Sequence, residues 1–396
     1  MTNKKSLKYL FNLEFGKTKR QLIMMVVLVL ICLGFSALTG GTFTAPRNLS
    51  NLCLQASATG VAAIGIVWIL VAGHIDLSIG SFVGFMGALA GMLMVNKGWG
   101  AVETMAVVLV SGAILGAWQG YWIAYRRIPA FIVTLAGMQM FRGGCLMATG
   151  GVTLSPMGDI YKAVGQGYLP GIFATEKGFV DTAIIVAAIL CVVLVFSELS
   201  SIRSRKKYNL EVAPMWFIII KMAITCVIVM FVGYILSKHM GLPIAVIVMG
   251  VLAVLFSFIS SNTRFGRYVY AIGGNKEAAM LSGVNIKKTT FLIYVVMGLM
   301  CSISSIIYTA RLNAATAAAG TGMEMDAIAS AIIGGTSTMG GEGSVFGAII
   351  GAFIMSSIDN GMSIMNLPPQ VQYIVKGLVL LLAVWLDVST KKNRNK

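Results

Sequence analysis

Apolar residues along this chain gather in blocks, without the strict alternation of a half-buried strand. Twelve blocks run over 21–38, 52–72, 80–95, 102–125, 131–149, 182–196, 215–236, 242–260, 289–310, 327–335, 345–358 and 371–386. Carrying a helix across a hydrocarbon core takes about 20 residues, within a range of about 17–25. Most of the blocks approach that length. Those flanking 74–79 and 336–342 are shorter or richer in glycine, so broken or re-entrant helices are expected there. Such segments persist at membrane depth only where protein or a water-filled path satisfies their backbone. The pattern predicts an all-α, polytopic transmembrane helical bundle of roughly ten to twelve spans. The longest polar interval, 150–177, holds Pro156 and Pro170 and is too small for an independent binding domain.

Composition agrees with this class: 57% of the 396 residues are hydrophobic and only 11% are charged, against about a quarter charged in soluble domains. The formal charge of +16 would invite a nucleic-acid reading. The basic residues lie between apolar blocks, however, and leave no basic helix to enter a groove, so no nucleic acid is expected. They follow a topology rule instead. Counting sides from a cytoplasmic start places Arg126, Arg127, Arg203, Arg205, Lys206 and Lys207 in inner loops, with Arg264, Arg267, Lys276, Lys287 and Lys288. Lys391, Lys392, Arg394 and Lys396 fall on the same side, while outer loops hold only scattered Arg47, Lys97, Lys162, Lys177, Lys238 and Arg311. One topology satisfies the positive-inside rule, with both termini cytoplasmic. The basic start (Lys4, Lys5, Lys8, Lys17, Lys19, Arg20) holds the first block's entry inside, and that block ends without a small-residue cleavage site, so it reads as a helix and not a signal peptide. The expected organisation is a cytoplasmic N-terminus over 1–20, a membrane domain over 21–387 with a cytoplasmic loop at 262–288, and a tail over 388–396.

Chemistry-bearing residues are sparse. Cys32, Cys53, Cys145, Cys191, Cys226 and Cys301 fall in or beside apolar blocks with no C-x-x-C spacing and read as small buried hydrophobes. His74 and His239 are too few for a metal site. Gly16-Lys17-Thr18 offers the tail of a phosphate loop, but Phe11 stands where its first glycine belongs. No H-E-x-x-H or G-x-S-x-G occurs. The chain is therefore expected to be no enzyme and to carry no cofactor or metal. Asp76, Asp326 and Asp359 sit at block ends, where helix capping is the expected role. Lys221 is expected to snorkel outward, whereas Arg142 and Lys376 lie deeper and either snorkel or need a partner. A short echo relates Gly80-Ser81-Phe82-Val83-Gly84 to Gly343-Ser344-Val345-Phe346-Gly347. Small residues at such spacing let helices approach closely, and transporter folds also carry internal repeats.

The most informative loop contains Glu277-Ala278-Ala279, three residues, Gly283, and nine more to Ile293. A short helix projecting from the membrane face needs small alanines to seat in a cleft and a glycine to turn the chain back. This is the E-A-A-x-x-x-G-x9-I pattern of importer permeases, with Val295-Val296 where Leu-Pro often stands. With Arg47–Leu52, Gly73–Ser81, Gly116–Gly120, Arg127–Gly137, Tyr270–Asn275, Ile333–Ser337, Asp359–Ser363 and Val384–Asp387, the chain resembles the monosaccharide-type permeases of bacterial ABC importers over nearly its whole length. Its long 198–241 stretch resembles the xylose-type branch. The resemblance implies a homodimer in the bacterial inner membrane, contacting lipids. It also implies separate ATP-hydrolysing subunits bound inside through Glu277, Ala278, Ala279 and Gly283, and a periplasmic-type or lipid-anchored sugar-binding protein docking outside. A neutral sugar needs a wet, lightly polar, glycine-rich path. The candidates are Gly73, Asp76, Ser78, Gly80, Ser81, Gly334, Gly335, Thr336 and Ser337, where packing glycines remain the alternative. Tyr121, Trp122 and Tyr125 beside Arg126 read as an aromatic belt. An ion-driven sugar or metabolite carrier, a passive channel, and an ABC permease for another solute stay open.

Overall fold

The computed structural model describes residues 23–173, 179–208 and 214–394. The basic stretch expected over 1–20, the residues Gln21 and Lys177, and the tail residues 395–396 lie outside the described residues. Ten helices in the described chain are long and apolar enough to cross a membrane. They are α2 (Pro46–Val71), α3 (Ile79–Gly91, continued by a π turn to Asn96), α4 (Ala101–Ala124), α5 (Ala130–Thr149) and α7 (Thr182–Lys207). The others are α8 (Met215–Ser237), α9 (Ile244–Asn262), α12 (Ile286–Leu312), α14 (Val345–Ile364) and α15 (Pro369–Arg394). The shorter apolar α1 (Ile23–Leu38) precedes them. Three short helices lie between: α6 (Asp159–Gln166), α10 (Arg264–Gly274) and α11 (Lys276–Leu281). The last element, α13 (Met323–Ile333), is apolar but has only 11 residues.

The core is built around α2 and α12. Residues 56–71 of α2 are buried on every side, as expected of a helix that is apolar all round. Pro46 occupies its first turn, where the missing N–H removes no helical bond. Around α2 pack α9, α12, α13 and α14, while α12 also meets α3 and α4. Lipid tails are as apolar as leucine, so close van der Waals approach must hold such helices together. On α4, Gly112, Gly116 and Gly120 recur every fourth residue. A Cβ at Gly112 would sit 2.7 Å from the Gly298 carbonyl oxygen, and one at Gly298 would sit 3.0 Å from the Gly116 Cα. Larger side chains here would push α4 off α12.

At the periphery, α7 and α8 pair mainly with each other and leave long apolar faces exposed. Lys221 donates to Glu198 Oε1 at 3.0 Å across this pair, so it is paired rather than snorkelling free. The helix α15 is largely exposed and packs on α13.

One passage departs from regular helix. Beyond Leu312 the chain runs back along α3: Ala315 lies against Gly91, Ala319 against Gly84 and Gly320 against Gly80. Only then does α13 begin, and it completes the passage. Among the described residues, α1 and this half-extended, half-helical segment stand beside the ten helices of spanning length. Of the four blocks that looked doubtful, α2, α3 and α14 prove full length; only α13 is short. Three of the echoed glycines share a physical cause. Gly80 and Gly84 of α3 press on residues 319–320 and Gly347 of α14 presses on Gly334, whereas Gly343 meets the Val71 and Thr336 side chains. Those three admit the backbone of the same broken passage.

Candidate functional site

The loops carrying Arg126–Arg127 and 264–288 meet at one end of the bundle, called here the basic face, where both border one cavity. There α9 ends and α10 begins, capped by Thr263, whose Oγ1 accepts from Gly266 N–H at 3.2 Å. The next cap, Asn275, accepts from Ala278 N–H at 2.9 Å and starts α11. An Ncap Asn satisfies a donor that the first helical turn leaves open. At the other end of α11, Gly283 takes φ +81° and its N–H donates to the Met280 carbonyl at 3.0 Å. Glycine adopts that left-handed conformation without a Cβ penalty. Of the four residues expected to seat a partner, Glu277, Ala278 and Gly283 are exposed, while Ala279 is buried against the bundle. Met280 and Leu281 are 59% and 85% exposed. Two large apolar side chains on a six-residue helix in a basic loop form an unpartnered knob.

This knob is tied to the core by backbone contact. Gly273 of α10 faces the Val71 carbonyl at the end of α2, with no room for a Cβ. The Val71 carbonyl accepts from Gly341 N–H at 2.9 Å, and Tyr270 Oη donates to the Gly343 carbonyl at 2.9 Å. The turn 334–344 is also held by Asp387 of α15, whose Oδ2 accepts from Ser337 Oγ (3.3 Å), Thr338 N–H (3.1 Å) and Thr338 Oγ1 (3.2 Å). The helix α10 thus links α11 by direct contact to the end of α2 and to the 334–344 turn.

Between α11 and the turn 72–78 lies a cavity of about 660 Å³, open on the basic face. Gly73, His74 and Ile75 form one wall, Arg127 to Phe131 a second, and Lys276, Met280 and Lys287 a third. Burial, helped by the nearby Lys276 ammonium, pushes the His74 imidazole down to about 4. Behind this turn, Asp76 Oδ1 accepts from Ser78 N–H (2.8 Å) and Ser78 Oγ (2.7 Å), and Gln119 Nε2 donates to Ser78 Oγ (2.8 Å). Asp76 thus closes a turn onto Ser78, the N-cap residue of α3, rather than capping the helix as expected, since no side chain bonds the first-turn N–H groups of α3.

Of the residues singled out for a sugar path, only Gly73 lines this cavity. Asp76, Ser78, Gly80 and Ser81 are buried behind the turn. Gly334, Thr336 and Ser337 are buried around the 334–344 turn, and Gly335 takes φ +99° there. Both groups border the end of α2, which leads into the 72–78 turn and bonds Gly341. Tyr121, Trp122 and Tyr125 are exposed at the basic face, and the Arg126 guanidinium lies 5.4 Å from the Tyr121 ring centre.

The broken passage meets several of the charges buried in the bundle. Arg142 Nη1 donates to the carbonyls of Ala317 (3.2 Å) and Ala319 (3.0 Å), and its Nη2 to Thr321 Oγ1 (3.0 Å). Non-helical backbone at membrane depth needs such donors. Lys376 Nζ lies 2.9 Å from Asp326 Oδ2 and 2.8 Å from Asp359 Oδ2, with all three side chains at most 15% exposed. Capping is thus not the role of Asp359, which lies inside α14, nor of the Asp326 side chain, which faces α15. Glycine at 322 stands at the N-cap of α13. The signal for this cluster was the lysine itself: a lone cation in an apolar run calls for carboxylates on neighbouring helices. Among the described residues, no group of three His, Cys, Asp or Glu comes together to hold a metal ion.

Residues 48–384 match the family described as branched-chain amino acid transport system / permease component. The xylose transport system permease protein of Haemophilus influenzae is 44% identical over 370 residues, covering 93% of this chain and 96% of that protein. The corresponding Escherichia coli K12 protein is 42% identical, covering 93% and 92%. The ribose import permease protein of E. coli K12 is 32% identical, covering 93% of each. No solved structure matches the chain.

Proposed function

The chain belongs to the branched-chain amino acid transport system / permease component family, and from that membership we propose that it is the membrane subunit of an ATP-driven importer for D-xylose. The sugar follows from the two xylose permeases, which share more identity with it than the ribose permease does. The basic face is cytoplasmic by the positive-inside rule. ATP is hydrolysed on a separate subunit seated on α11, a sugar-binding protein docks on the opposite face, and a second copy of the chain completes the path.

The observation that carries the energy-coupling part is the α11 knob. Its exposed Met280 and Leu281 offer a grip, and α10 behind it has no side chain between Gly273 and the Val71 carbonyl. A push on α11 is delivered to the end of α2, just before the turn with Gly73, Asp76 and Ser78, and to the 334–344 turn with Gly334 to Ser337. Only contacts that differ between the two access states can turn that push into transport. The turn offers such contacts, because it is held by hydrogen bonds from three separate helices.

Reconstituted with its ATPase and binding protein, the chain should import xylose only when ATP is supplied. Gly283→Leu should insert normally yet fail to co-purify with the ATPase, because Leu disfavours φ +81°. Accumulation of sugar by this chain alone on a proton or sodium gradient would overturn the proposal. The Asp326–Lys376–Asp359 cluster is the one observation favouring that second reading, since intramembrane ionisable groups often mark ion paths.

A further inference from the structure

The cavity on the basic face has a one-sided charge. Arg127, Lys276 and Lys287 line it together with His74, and no carboxylate does. None of the three cations makes an ion pair among the described residues. All three are exposed, so their charge is available to a ligand. Arg127 also has φ +58°, a conformation uncommon for a residue with a side chain and costly to hold. At about 660 Å³, the cavity falls within the ~300–1,000 Å³ of small-ligand sites. Its occupant must be an anion.

The surroundings narrow the class. The cavity sits where α4 and α11 end and where α5 and α12 begin, the level at which a bilayer presents its headgroups. Ile128 and Phe131 carry its wall onto the outer surface of the bundle, where Phe131 is 53% exposed. Exposed Trp122 and Tyr125 continue that surface, and such rings favour the headgroup zone. A soluble anion would use the cations and leave the apolar wall wet. A phospholipid uses both.

We propose that this cavity binds the phosphodiester headgroup of an anionic membrane phospholipid, with Arg127, Lys276 and Lys287 on the phosphate and an acyl chain along Ile128 and Phe131. Basic pockets between membrane helices at the cytoplasmic side recognise anionic headgroups in this manner. The site rests on the membrane-spanning fold alone and does not depend on which solute is carried. Because Lys276 and Met280 belong to α11, a bound lipid would brace the α11 segment from below.

The test uses the purified full chain in detergent, titrated with phosphatidylglycerol and read by native mass spectrometry and thermal unfolding. Bound lipid should survive delipidation, and unfolding should move to higher temperature. The variant Arg127→Gln/Lys276→Gln/Lys287→Gln should weaken binding on the order of a hundredfold, from about a tenfold or smaller contribution per cation. Arg203→Gln/Lys206→Gln, neutralised in another basic segment, should bind as the parent does. Met280→Trp, which narrows the cavity while leaving its charge, should also weaken binding. Equal losses in the two charge variants would overturn the proposal in favour of general surface attraction. A shift of the same size with glycerol phosphate or inorganic phosphate would assign the cavity to a soluble anion instead. Loss of the lipid on assembly with the ATPase would assign it to a partner segment, and the lipid site would fall.

Discussion

Replacing Lys376 by methionine tests a buried cluster of three charges on three helices. The ammonium lies 2.9 Å from Asp326 and 2.8 Å from Asp359, and Met keeps most of its length and volume. At an effective dielectric of ~20, each contact corresponds to about 6 kcal/mol of Coulomb attraction. Desolvation of three groups at most 15% exposed offsets much of this. The informative quantity is therefore the cost of removing one partner, about 3–5 kcal/mol when a buried charge is left uncompensated. In Lys376→Met two carboxylates face each other with no cation between them, so the upper part of that range applies. Asp359→Asn should cost far less, because the Lys376–Asp326 pair survives and the cluster becomes neutral. The triple variant Lys376→Met/Asp326→Asn/Asp359→Asn should recover most of the loss. Unfolding can be followed with a thiol-reactive dye, since Cys53, Cys145 and Cys301 are buried in the fold. If Lys376→Met unfolds with the parent, or Asp359→Asn costs as much as Lys376→Met, the cluster does not hold α15 as described.

Arg142→Met leaves the carbonyls of Ala317 and Ala319 and the Thr321 hydroxyl without their donor. At about 1–3 kcal/mol for each part-buried carbonyl left unmatched, with the exposed Thr321 hydroxyl adding little, the loss should reach a few kcal/mol, and hydrogen exchange should rise over 313–322 while α2 stays protected. Unchanged exchange there would show that the guanidinium does not support the broken passage. His74 carries a pH signature. Its imidazole is held down to about 4 from an ordinary 6.5, so the folded state binds the proton less readily than the unfolded one. The stability it contributes is full above pH 6.5 and is lost as the pH falls toward 4, by up to about 3 kcal/mol. The slope of unfolding temperature against pH in that window should flatten in His74→Gln, and an identical slope would assign it to other groups.

The helical bundle was legible because crossing a bilayer imposes a length and an apolar composition that short-range sequence displays. The α11 segment was legible for a different reason. Gly283 and the alanines before it are local signals, and the turn that Gly283 closes reaches back only to Met280. The charge cluster was not. Lys376 and its partner Asp326 are separated by 50 residues, and their meeting depends on how α15 lies against α13, which no local pattern encodes. The same holds for Arg142, whose acceptors are main-chain carbonyls 175 and 177 residues away. Backbone acceptors carry no residue identity, so no sequence motif could have named them. The glycine echo had visible spacing and hidden cause: the packing reading needed the position of the 313–334 segment, to which three of the four glycines turn.

That segment explains why charge and glycine occur together in a bundle otherwise so apolar. A regular helix satisfies its own backbone, whereas the stretch from Asn313 to Gly322 leaves carbonyls that something else must meet. Arg142 supplies donors from the α5 side, and the first turn of α13 brings Asp326 to Lys376 on the other. At the far end of α13 the turn 334–344 is fixed by Val71, Tyr270 and Asp387. The broken passage is thus anchored by charge at its middle and by backbone contact at the basic face, and only the latter end touches α10. A displacement entering through α11 meets no side chain at Gly273 that could absorb it by changing rotamer. It must either move Val71 and Gly341 together or be refused, and α2 is buried on all sides and resists. The 334–344 turn is held by hydrogen bonds to Val71, Tyr270 and Asp387 and by backbone packing of Gly340 on Gly273 and Val71, so a displacement that is not refused should carry the turn and the end of α2 together.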